Sequence, residues 1–462
     1  MRIIFLLLIA CSGWSQQIKN VQLLANWNED TLLTNSTNVR YSGCWGFDYQ
    51  NREYAVVGST EGSHFFELTQ QNELVLIGFI KARFSSSMAI TREYKFYQHY
   101  IYAVGDEGMG SLQIIDVSTL PDSVSLVADL QDSVFGKTHN LFIDSSNALL
   151  YLCMVTPIAS GINLSMRPLC VFDLSNPTNP TLLWQGPNDI QEVHDLYVRD
   201  NIGILNCGYD GIRVYDFSNP ASPIYLNALS LYNQQGYNHQ GWLSQNKKTY
   251  VFTDETQGLL LKKCSVSDDW TITPNYYFGI QEDLVQMTAH NVQISNDLAF
   301  VSYYNAGLRI YDLRKNPPVE IGIYDTYTQP DMANFTMWGA WGVYALYMSG
   351  RIIISDRNNG LFLLHFDKPF FETPSNSFSF LAYPNPSKSG SKIVIRSPND
   401  ANSNFQFVVF DLQGKRLCSG DSGAQSYVEL PIFLTAGMYF VEVIYENYLF
   451  EESVSTMKIE VL

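Results

Sequence analysis

The chain has 462 residues, which is long for one domain, so its length predicts two or more folding units. Hydrophobic residues make up 46% of the sequence and charged residues only 16%, which is typical of a folded globular protein and excludes a disordered chain. The net charge of −17 argues against a nucleic-acid partner, because phosphate binding needs clustered lysine and arginine.

The first predicted element is a secretory signal peptide at residues 1–16. Arg2 precedes an apolar run at residues 3–10, and small and polar residues follow it. The run is too short to cross a bilayer, and no later stretch has the roughly 18 apolar residues of a transmembrane helix. Signal peptidase I could cut near Ser15 or Gln16, or the lipobox-like LIAC could direct lipoprotein processing at Cys11. Both interpretations predict an exported protein.

Residues 17–372 carry an internal repeat with a period near fifty residues. Its template is GIRVYDFSNPASPIYL at residues 211–226, in which an apolar strand ends in Asp216, an SNP turn follows, and a second apolar strand begins. Related copies begin at His64, Leu112, Leu169, Leu261, Leu308 and Leu361. Each copy contains four short strand patterns and no helical periodicity, so the sequence predicts an all-β fold, a seven-bladed β-propeller.

The seventh copy stops after its third strand pattern, LFLLHF from Leu361. The segment NVQLLANW at residues 20–27 has the character of the missing strand. We therefore expect it to complete the last blade, because a closed ring of sheets leaves no open edge.

A polar dipeptide opens the first strand pattern of most copies, as in THNLFI, VHDLYV, NHQGWL and AHNVQI. First strands line the central channel of a propeller, so these positions are expected to meet at one mouth of the channel. The first residues of the dipeptides are Cys44, Arg92, His139, His194, His239, His290 and Ala340. The candidate ligand-binding residues at this mouth are Arg92, Glu93, His139, His194, Asp195, His239, Trp242, His290 and Trp341.

Three interpretations of the histidines stay open. They could form a hydrogen-bonded belt that satisfies backbone groups, or take part in catalysis. They could also bind a divalent metal through neighbouring members of His139, His194, His239 and His290, because imidazole is a good ligand for zinc, copper or iron. Trp242 could stack on a sugar or fill space between blades.

Two carboxylate pairs, Asp106–Glu107 and Asp254–Glu255, fall in loops between strands and are interpreted as solvated charges. Cys153 and Cys170 fall in neighbouring strand patterns and are the candidate disulfide. The remaining cysteine spacings do not indicate a zinc site, because no CxxC occurs.

After a predicted linker at residues 373–381, residues 382–462 predict a small antiparallel β-sandwich. Apolar residues alternate in segments such as FVVFDLQGKRL and LTAGMYFVEV, and glycine and asparagine mark the turns.

Two resemblances extend this interpretation. CWGFDYQNREYAVVGS, HQGWL, AGLRIYDL and GRIIISDRNNGLFLL resemble the choice-of-anchor B proteins, which carry LVIVD repeats, over roughly residues 20–368. The last module resembles the type A C-terminal sorting domain of type IX secretion. The matching residues include Tyr383, Pro384, Asn385, Pro386, Asp411, Gly414, Gly437, Tyr439 and Lys458.

These resemblances imply a propeller that is secreted or attached to the cell surface of a Gram-negative bacterium of the Bacteroidota. They also imply the type IX machinery as a partner and favour ordinary signal-peptide cleavage over lipoprotein processing. The sequence contains no G-x-S-x-G, H-E-x-x-H or P-loop motif. We therefore expect a binding module for a surface protein, a glycan or a small ligand. The alternative is a metal-assisted hydrolase or lyase at the histidine-lined mouth.

Overall fold

The computed structural model describes residues 16–280, 287–327, 337–347, 349–367, 381–396, 405–411, 415–422, 427–431, 433–446 and 452–462. The chain divides into two compact units, Met1–Asp367 (unit 1) and Lys368–Leu462 (unit 2). The described residues form strands and no helix, so none of them provides a helix that could span a membrane. The predicted signal peptide up to Ser15, with Cys11, and residues 373–380 of the predicted linker lie outside the described residues.

Unit 1, as far as it is described, consists of seven antiparallel sheets, numbered here in chain order of their first strands. Sheet 1 contains Tyr41–Tyr49, Arg52–Ser59, Gly62–Leu68 and Leu74–Lys81. Sheet 2 contains Arg92–Tyr97, Tyr100–Gly105, Leu112–Asp116 and Ser125–Leu130. Sheet 3 contains Asn140–Asp144, Leu149–Ala159, Arg167–Asp173 and Thr181–Gly186, with short strands Gly136–Lys137 and Ile162–Asn163 on Leu149–Ala159.

The remaining sheets repeat this order of strands. Sheet 4 contains Asp195–Arg199, Ile202–Asn206, Ile212–Asp216 and Ile224–Leu229. Sheet 5 contains Asn238–Leu243, Thr249–Asp254, Leu261–Val266 and Ile272–Phe278. Sheet 6 contains Val292–Ser295, Leu298–Ser302, Leu308–Asp312 and Val319–Tyr324, with Ile18–Lys19 beside the last of these. Sheet 7 contains Ala340–Tyr344, Arg351–Asp356, Gly360–Phe366 and Val21–Trp27.

Sheet 7 joins the two ends of unit 1. Val21–Trp27 pairs with Gly360–Phe366, and Val21 lies opposite Phe366. The segment near residues 20–27 therefore supplies the fourth strand, as the sequence predicts. The first strands of the seven sheets contact one another in chain order, and Ala340–Tyr344 of sheet 7 contacts Tyr41–Tyr49 of sheet 1. The sheets thus form a closed ring, the architecture of a β-propeller.

The core of unit 1 lies between neighbouring sheets. The strand Ser125–Leu130, at the outer edge of sheet 2, is half exposed, whereas Leu112–Asp116 is almost completely buried. One apolar cluster joins sheets 2 and 3 through residues such as Ile114 and Leu152, and the next joins sheets 3 and 4 through Tyr151. Both faces of the inner strands are therefore covered, which explains their continuous apolar sequences.

The predicted disulfide between Cys153 and Cys170 is not formed. Both are buried free thiols on adjacent strands of sheet 3, but Cys170 lies opposite Leu152, one residue out of step with Cys153. Successive side chains of a strand point to opposite faces. Cys170 accordingly packs in the cluster between sheets 2 and 3, and Cys153 in the cluster between sheets 3 and 4.

The aspartate of the repeat ends the third strand of a sheet and shapes the turn that follows. The carboxylate of Asp216 accepts hydrogen bonds from the backbone N–H and the hydroxyl of Ser218, at 2.7 and 2.6 Å. Asp173 receives the same two bonds from Ser175, at 2.8 and 2.6 Å. Such a side-chain turn begins the loop that joins the third strand to the antiparallel fourth strand, and it accounts for the recurring Asp and Ser.

Unit 2 contains two sheets in its described residues. One consists of Leu381–Tyr383, Val394–Arg396 and Tyr427–Glu429, and the other of Arg416–Asp421, Phe405–Asp411, Gly437–Glu446 and Glu452–Val461. Ile395 from the first sheet packs in one buried cluster with Phe407, Val441 and Ile459 from the second. Unit 2 therefore has a hydrophobic core of its own.

Candidate functional site

Five of the predicted site residues, His139, His194, His239, His290 and Trp341, form one continuous row of side-chain rings. The ring centroids of His139 and His194 are 4.2 Å apart, those of His194 and His239 are 4.2 Å apart, and those of His239 and His290 are 4.4 Å apart. The ring of Trp341 extends the row at 4.0 Å from His290. These five residues, called the histidine row below, lie at or just before the first strands of sheets 3 to 7.

Backbone carbonyls of neighbouring sheets orient two of the imidazoles. Nδ1 of His194 donates a hydrogen bond to the carbonyl of His239 at 3.1 Å, and Nδ1 of His290 donates to the carbonyl of Trp341 at 2.7 Å. A carbonyl oxygen only accepts, so Nδ1 carries the proton in both rings. In a neutral imidazole the other nitrogen, Nε2, then keeps its lone pair and can bind a metal or accept a hydrogen bond.

Glu255 brings a carboxylate to the middle of the row. It follows the second strand of sheet 5, Thr249–Asp254, and its side chain is only 12% exposed. Its Oε2 lies 3.7 Å from Nε2 of His239, and its Oε1 lies 4.0 Å from Nε2 of His290. The hydroxyl of Tyr304, which follows the second strand of sheet 6, donates a hydrogen bond to Oε1.

The interpretation of Asp254 and Glu255 as solvated charges is wrong. Both side chains are buried, and Asp254 forms an ion pair with the equally buried Lys262, with Oδ2 and Nζ 2.7 Å apart. The hydroxyl of Tyr232 also donates to Asp254, at 2.8 Å. As adjacent residues at a strand end, the two carboxylates point in different directions and have different partners, so Asp254 anchors the strand end while Glu255 enters the site.

Asp106 and Glu107 are likewise part of the site. Oδ2 of Asp106 lies 2.6 Å from Nδ1 of His139, and the hydroxyl of Thr91 donates to Glu107 at 2.6 Å. Burial, followed by the charge of Asp106, raises the pKa of Glu107 to about 7. The carboxyl group of Glu107, beside Asp106 at the His139 end of the row, therefore titrates near neutrality.

The histidines of the row differ in their protonation. Burial, followed by repulsion from neighbouring imidazoles, lowers the pKa of His194 and His290 well below the usual value. Burial also lowers the pKa of His239, although the nearby Glu255 opposes it. Burial likewise disfavours the charged form of His139, but the hydrogen bond and charge of Asp106 outweigh it and raise its pKa. The rings of His194, His239 and His290 are therefore neutral, whereas the ring of His139 gains a proton more readily.

The predicted residues Glu93, Asp195 and Trp242 line a cavity formed by first strands of several sheets, with Lys95 among them. Burial raises the pKa of Asp195 to about 7, although Lys95 opposes the shift. Burial also raises the pKa of Glu93 and lowers that of Lys95. One hydrogen bond links the lining of the cavity to the histidine row: the indole Nε1 of Trp341 donates to Glu93 at 2.9 Å.

Arg92 is not brought to the histidine row. It is buried, its Nε donates to the carbonyl of Ser59 at 2.8 Å, and another guanidinium nitrogen donates to the carbonyl of Phe84 at 2.7 Å. Its bonds join sheet 2 to the backbone near sheet 1. The guanidinium that does reach the row belongs to Arg357, which lies 4.3 Å above the ring of Trp341.

The sequence interpretation missed Tyr304 and Arg357 and misjudged Asp106 and Glu255. All four follow the second strand of a sheet within two residues. The antiparallel hairpin returns the end of the second strand to the level at which the first strand begins. A search of these equivalent loop positions for polar residues would have found them.

The described sorting-motif residues of unit 2 hold turns and strand ends. The side-chain amide of Asn385 donates to the carbonyl of Lys458 at 2.7 Å and accepts from the backbone N–H of Glu460 at 2.9 Å. Asp411 accepts from the backbone N–H of Lys415 at 2.9 Å. The hydroxyl of Tyr439 donates to the carbonyl of Thr435 at 2.8 Å. Pro384 and Pro386 flank Asn385, Gly437 begins a strand, and Gly414 and the side chain of Tyr383 lie outside the described residues.

Residues 166–185 match the LVIVD repeat family model. This segment contains the third strand of sheet 3 and most of the fourth, Arg167–Asp173 and Thr181–Gly186. No curated protein sequence matches the chain significantly.

Two solved structures are similar to the chain at low sequence identity. A protein from Lactobacillus plantarum has a TM-score of 0.50 and 10% identity, covering 85% of this chain and 99% of its own. The β-propeller domain of Cps50 (Swd1) from Myceliophteria thermophila has a TM-score of 0.48 and 8% identity, covering 70% of this chain and 99% of its own. The closed ring of sheets and the repeat match together make this chain an all-β propeller protein with an LVIVD repeat.

Proposed function

We propose that unit 1 is a seven-bladed propeller that works as a binding module, with the histidine row and its loops as the ligand site. Each of the seven sheets is one blade. The observation that carries the proposal is the convergence of His139, His194, His239, His290 and Trp341, each from a different sheet, in one continuous row. Convergent polar groups in a concave, largely buried setting are typical of ligand sites.

The chemistry of the row favours a small polar ligand, or a polar group on a glycan or protein. Neutral imidazoles offer hydrogen-bond acceptors, and Glu255 and Asp106 supply carboxylates. Trp341 adds an aromatic face, although it is largely buried. A ligand that donates hydrogen bonds and carries a partial or full positive charge suits this set of groups.

We further propose that unit 2 is a type IX sorting domain, which delivers the propeller to the cell surface of a Gram-negative bacterium after an N-terminal signal peptide has been removed. The support is the resemblance of its motifs, in which Asn385 and Asp411 form hydrogen bonds that hold turns. The expected partner is therefore the type IX machinery.

Ligand binding can be tested by thermal unfolding of the full chain in the presence of monosaccharides, amino acids and polyamines. A ligand at one hundred times its Kd stabilises a protein by about 2.7 kcal/mol. The shift should disappear in Glu255→Gln and His139→Gln. It should persist in His365→Gln, whose side chain is 44% exposed on sheet 7. A ligand shift that is equal in all variants would contradict a site at the row.

Export can be tested separately by removing residues 382–462 in a bacterium that has the type IX route. We expect the propeller to be retained inside the outer membrane, whereas the full chain reaches the surface. Surface display of the truncated chain, measured by protease accessibility on intact cells, would overturn the sorting role and leave the binding proposal untouched.

A second candidate function is a metal-assisted hydrolase or lyase. The observation that favours it is the cluster of His194, His239 and Glu255, whose potential ligand atoms all lie within 4.8 Å of one another. This candidate function requires that these three residues bind a metal ion.

A further inference from the structure

The centre of the histidine row has the atoms of a metal site. Nε2 of His239 and Oε2 of Glu255 are 3.7 Å apart, and a nitrogen of His194 lies within 4.8 Å of both partners. Ligands bound at about 2.0–2.1 Å in a tetrahedral arrangement are about 3.3–3.4 Å from each other. The separations between the ligand atoms therefore need to shrink by at most about 1.5 Å to close on an ion, which side-chain adjustment can supply.

Hydrogen bonds from the surroundings orient two of the three ligands, His194 and Glu255. Nδ1 of His194 donates to a backbone carbonyl, so Nε2 has a lone pair. Tyr304 donates to Oε1 of Glu255, which leaves Oε2 facing His239. Metal-binding histidines and carboxylates in proteins are held by outer hydrogen bonds of this kind.

Burial supports the same conclusion. His194 and His239 are 5% and 3% exposed, and a carboxylate beside them has few routes to water. A buried carboxylate next to neutral imidazoles is stabilised when a cation joins them. The donor set of two imidazoles and one carboxylate suits zinc and related transition metals rather than calcium or magnesium, which prefer oxygen ligands.

We propose that His194, His239 and Glu255 bind a divalent transition-metal ion of the zinc type. His290 lies near the other oxygen of Glu255, with its Nε2 4.0 Å from Oε1. His139 belongs to the other end of the row, where Asp106 occupies its Nδ1. The site goes beyond the binding-module proposal, because it assigns a metal ion to three named residues.

The test uses the full chain, freed of metal with a chelator and then titrated with Zn²⁺. We expect one ion per chain. Glu255→Gln keeps the hydrogen bond from Tyr304 but removes the charge, and His239→Asn removes a donor nitrogen. Each should weaken zinc binding by more than about 100-fold, because even the loss of an outer hydrogen bond costs 10–100-fold. The control His365→Asn, on an exposed strand position, should bind like the unaltered chain.

Co²⁺ provides a second readout, because its visible absorption reports nitrogen and oxygen ligands in a four-coordinate site. The band should be present in the unaltered chain and in His365→Asn, and absent in Glu255→Gln, whose folding is checked by circular dichroism. Absence of stoichiometric zinc, or equal zinc affinity in Glu255→Gln and His239→Asn, would overturn the metal site. If a small ligand still raises the thermal midpoint of the unaltered chain in that case, the binding-module proposal continues to hold.

Discussion

His64 illustrates how burial of one side chain makes stability depend on pH. Its Nε2 lies 3.0 Å from the hydroxyl of Ser59, and its ring packs 4.9 Å from Trp27. Burial lowers its pKa from 6.5 to about 4. The unfolded chain therefore takes up this proton at a higher pH than the folded chain, so the folded state loses stability as pH falls from 6.5 to 4. The loss from this group is about 3 kcal/mol.

His64→Gln should remove this dependence while keeping a hydrogen-bonding group near Ser59. We expect the variant to lose about 3 kcal/mol less than the unaltered chain between pH 7 and pH 4, measured by urea unfolding at both values. His365→Gln, at a half-exposed position of sheet 7, is the matched control. Equal losses in His64→Gln and the unaltered chain would contradict the argument.

The ion pair of Lys262 and Asp254 holds the strand end that carries Glu255. Both side chains are fully buried, so removing one partner leaves an uncompensated charge. Lys262→Met should reduce the free energy of unfolding by about 3–5 kcal/mol, measured in urea. The double variant with Asp254→Asn should recover part of this loss because no charge remains buried. A double variant less stable than Lys262→Met would refute this explanation.

Strand register decides the state of the cysteines. Because Cys153 and Cys170 face opposite sides of sheet 3, both should stay reduced even after the protein has been kept under air. Denaturing the unreduced chain in iodoacetamide should alkylate both thiols, and mass spectrometry of the peptides detects the two adducts. A peptide pair joined through these two cysteines would show that the register of sheet 3 is different.

The strand Val21–Trp27 closes the ring of sheets, and Ala25 lies opposite Leu363 within it. Proline at position 25 lacks the backbone N–H and restricts the chain, so Ala25→Pro should weaken this pairing. We expect a lower thermal midpoint and association that increases with concentration, because the edge of Gly360–Phe366 becomes available. Leu23→Ala, at an exposed side chain of the same strand, is the matched control and should unfold like the unaltered chain.

At the scale of the whole molecule, each unit has its own buried core, so each should fold alone. Expressed separately, residues 16–367 and residues 368–462 should each unfold cooperatively. Calorimetry of the full chain should resolve two transitions at the midpoints of the separate units. Failure of residues 16–367 to fold without unit 2 would contradict this independence.

Much of the architecture could be predicted from the sequence because the sheets of the propeller arise from copies of one sequence repeat. The strand patterns, the turn-forming aspartates and the incomplete seventh copy predicted a ring of sheets closed by a strand near the amino terminus. Val21–Trp27 is that strand. The histidines of the row were found because they share one position in each copy. Glu255 and Asp106 were interpreted as solvated, since the burial of a loop residue depends on the neighbouring sheet and leaves no periodic signal. The pairing of Cys153 with Leu169, rather than with Cys170, depends on a register that strand propensity does not determine.

The closing strand also dictates the order in which the molecule can be assembled. Val21–Trp27 is synthesised early, but its partner Gly360–Phe366 comes from the far end of unit 1. Such distant pairing is slow to form, because a long chain must be brought together before the contact is gained. A nascent chain that stops short of residue 360 has an amino-terminal strand without its partner. Closure of the ring therefore cannot begin until nearly all of unit 1 has been made.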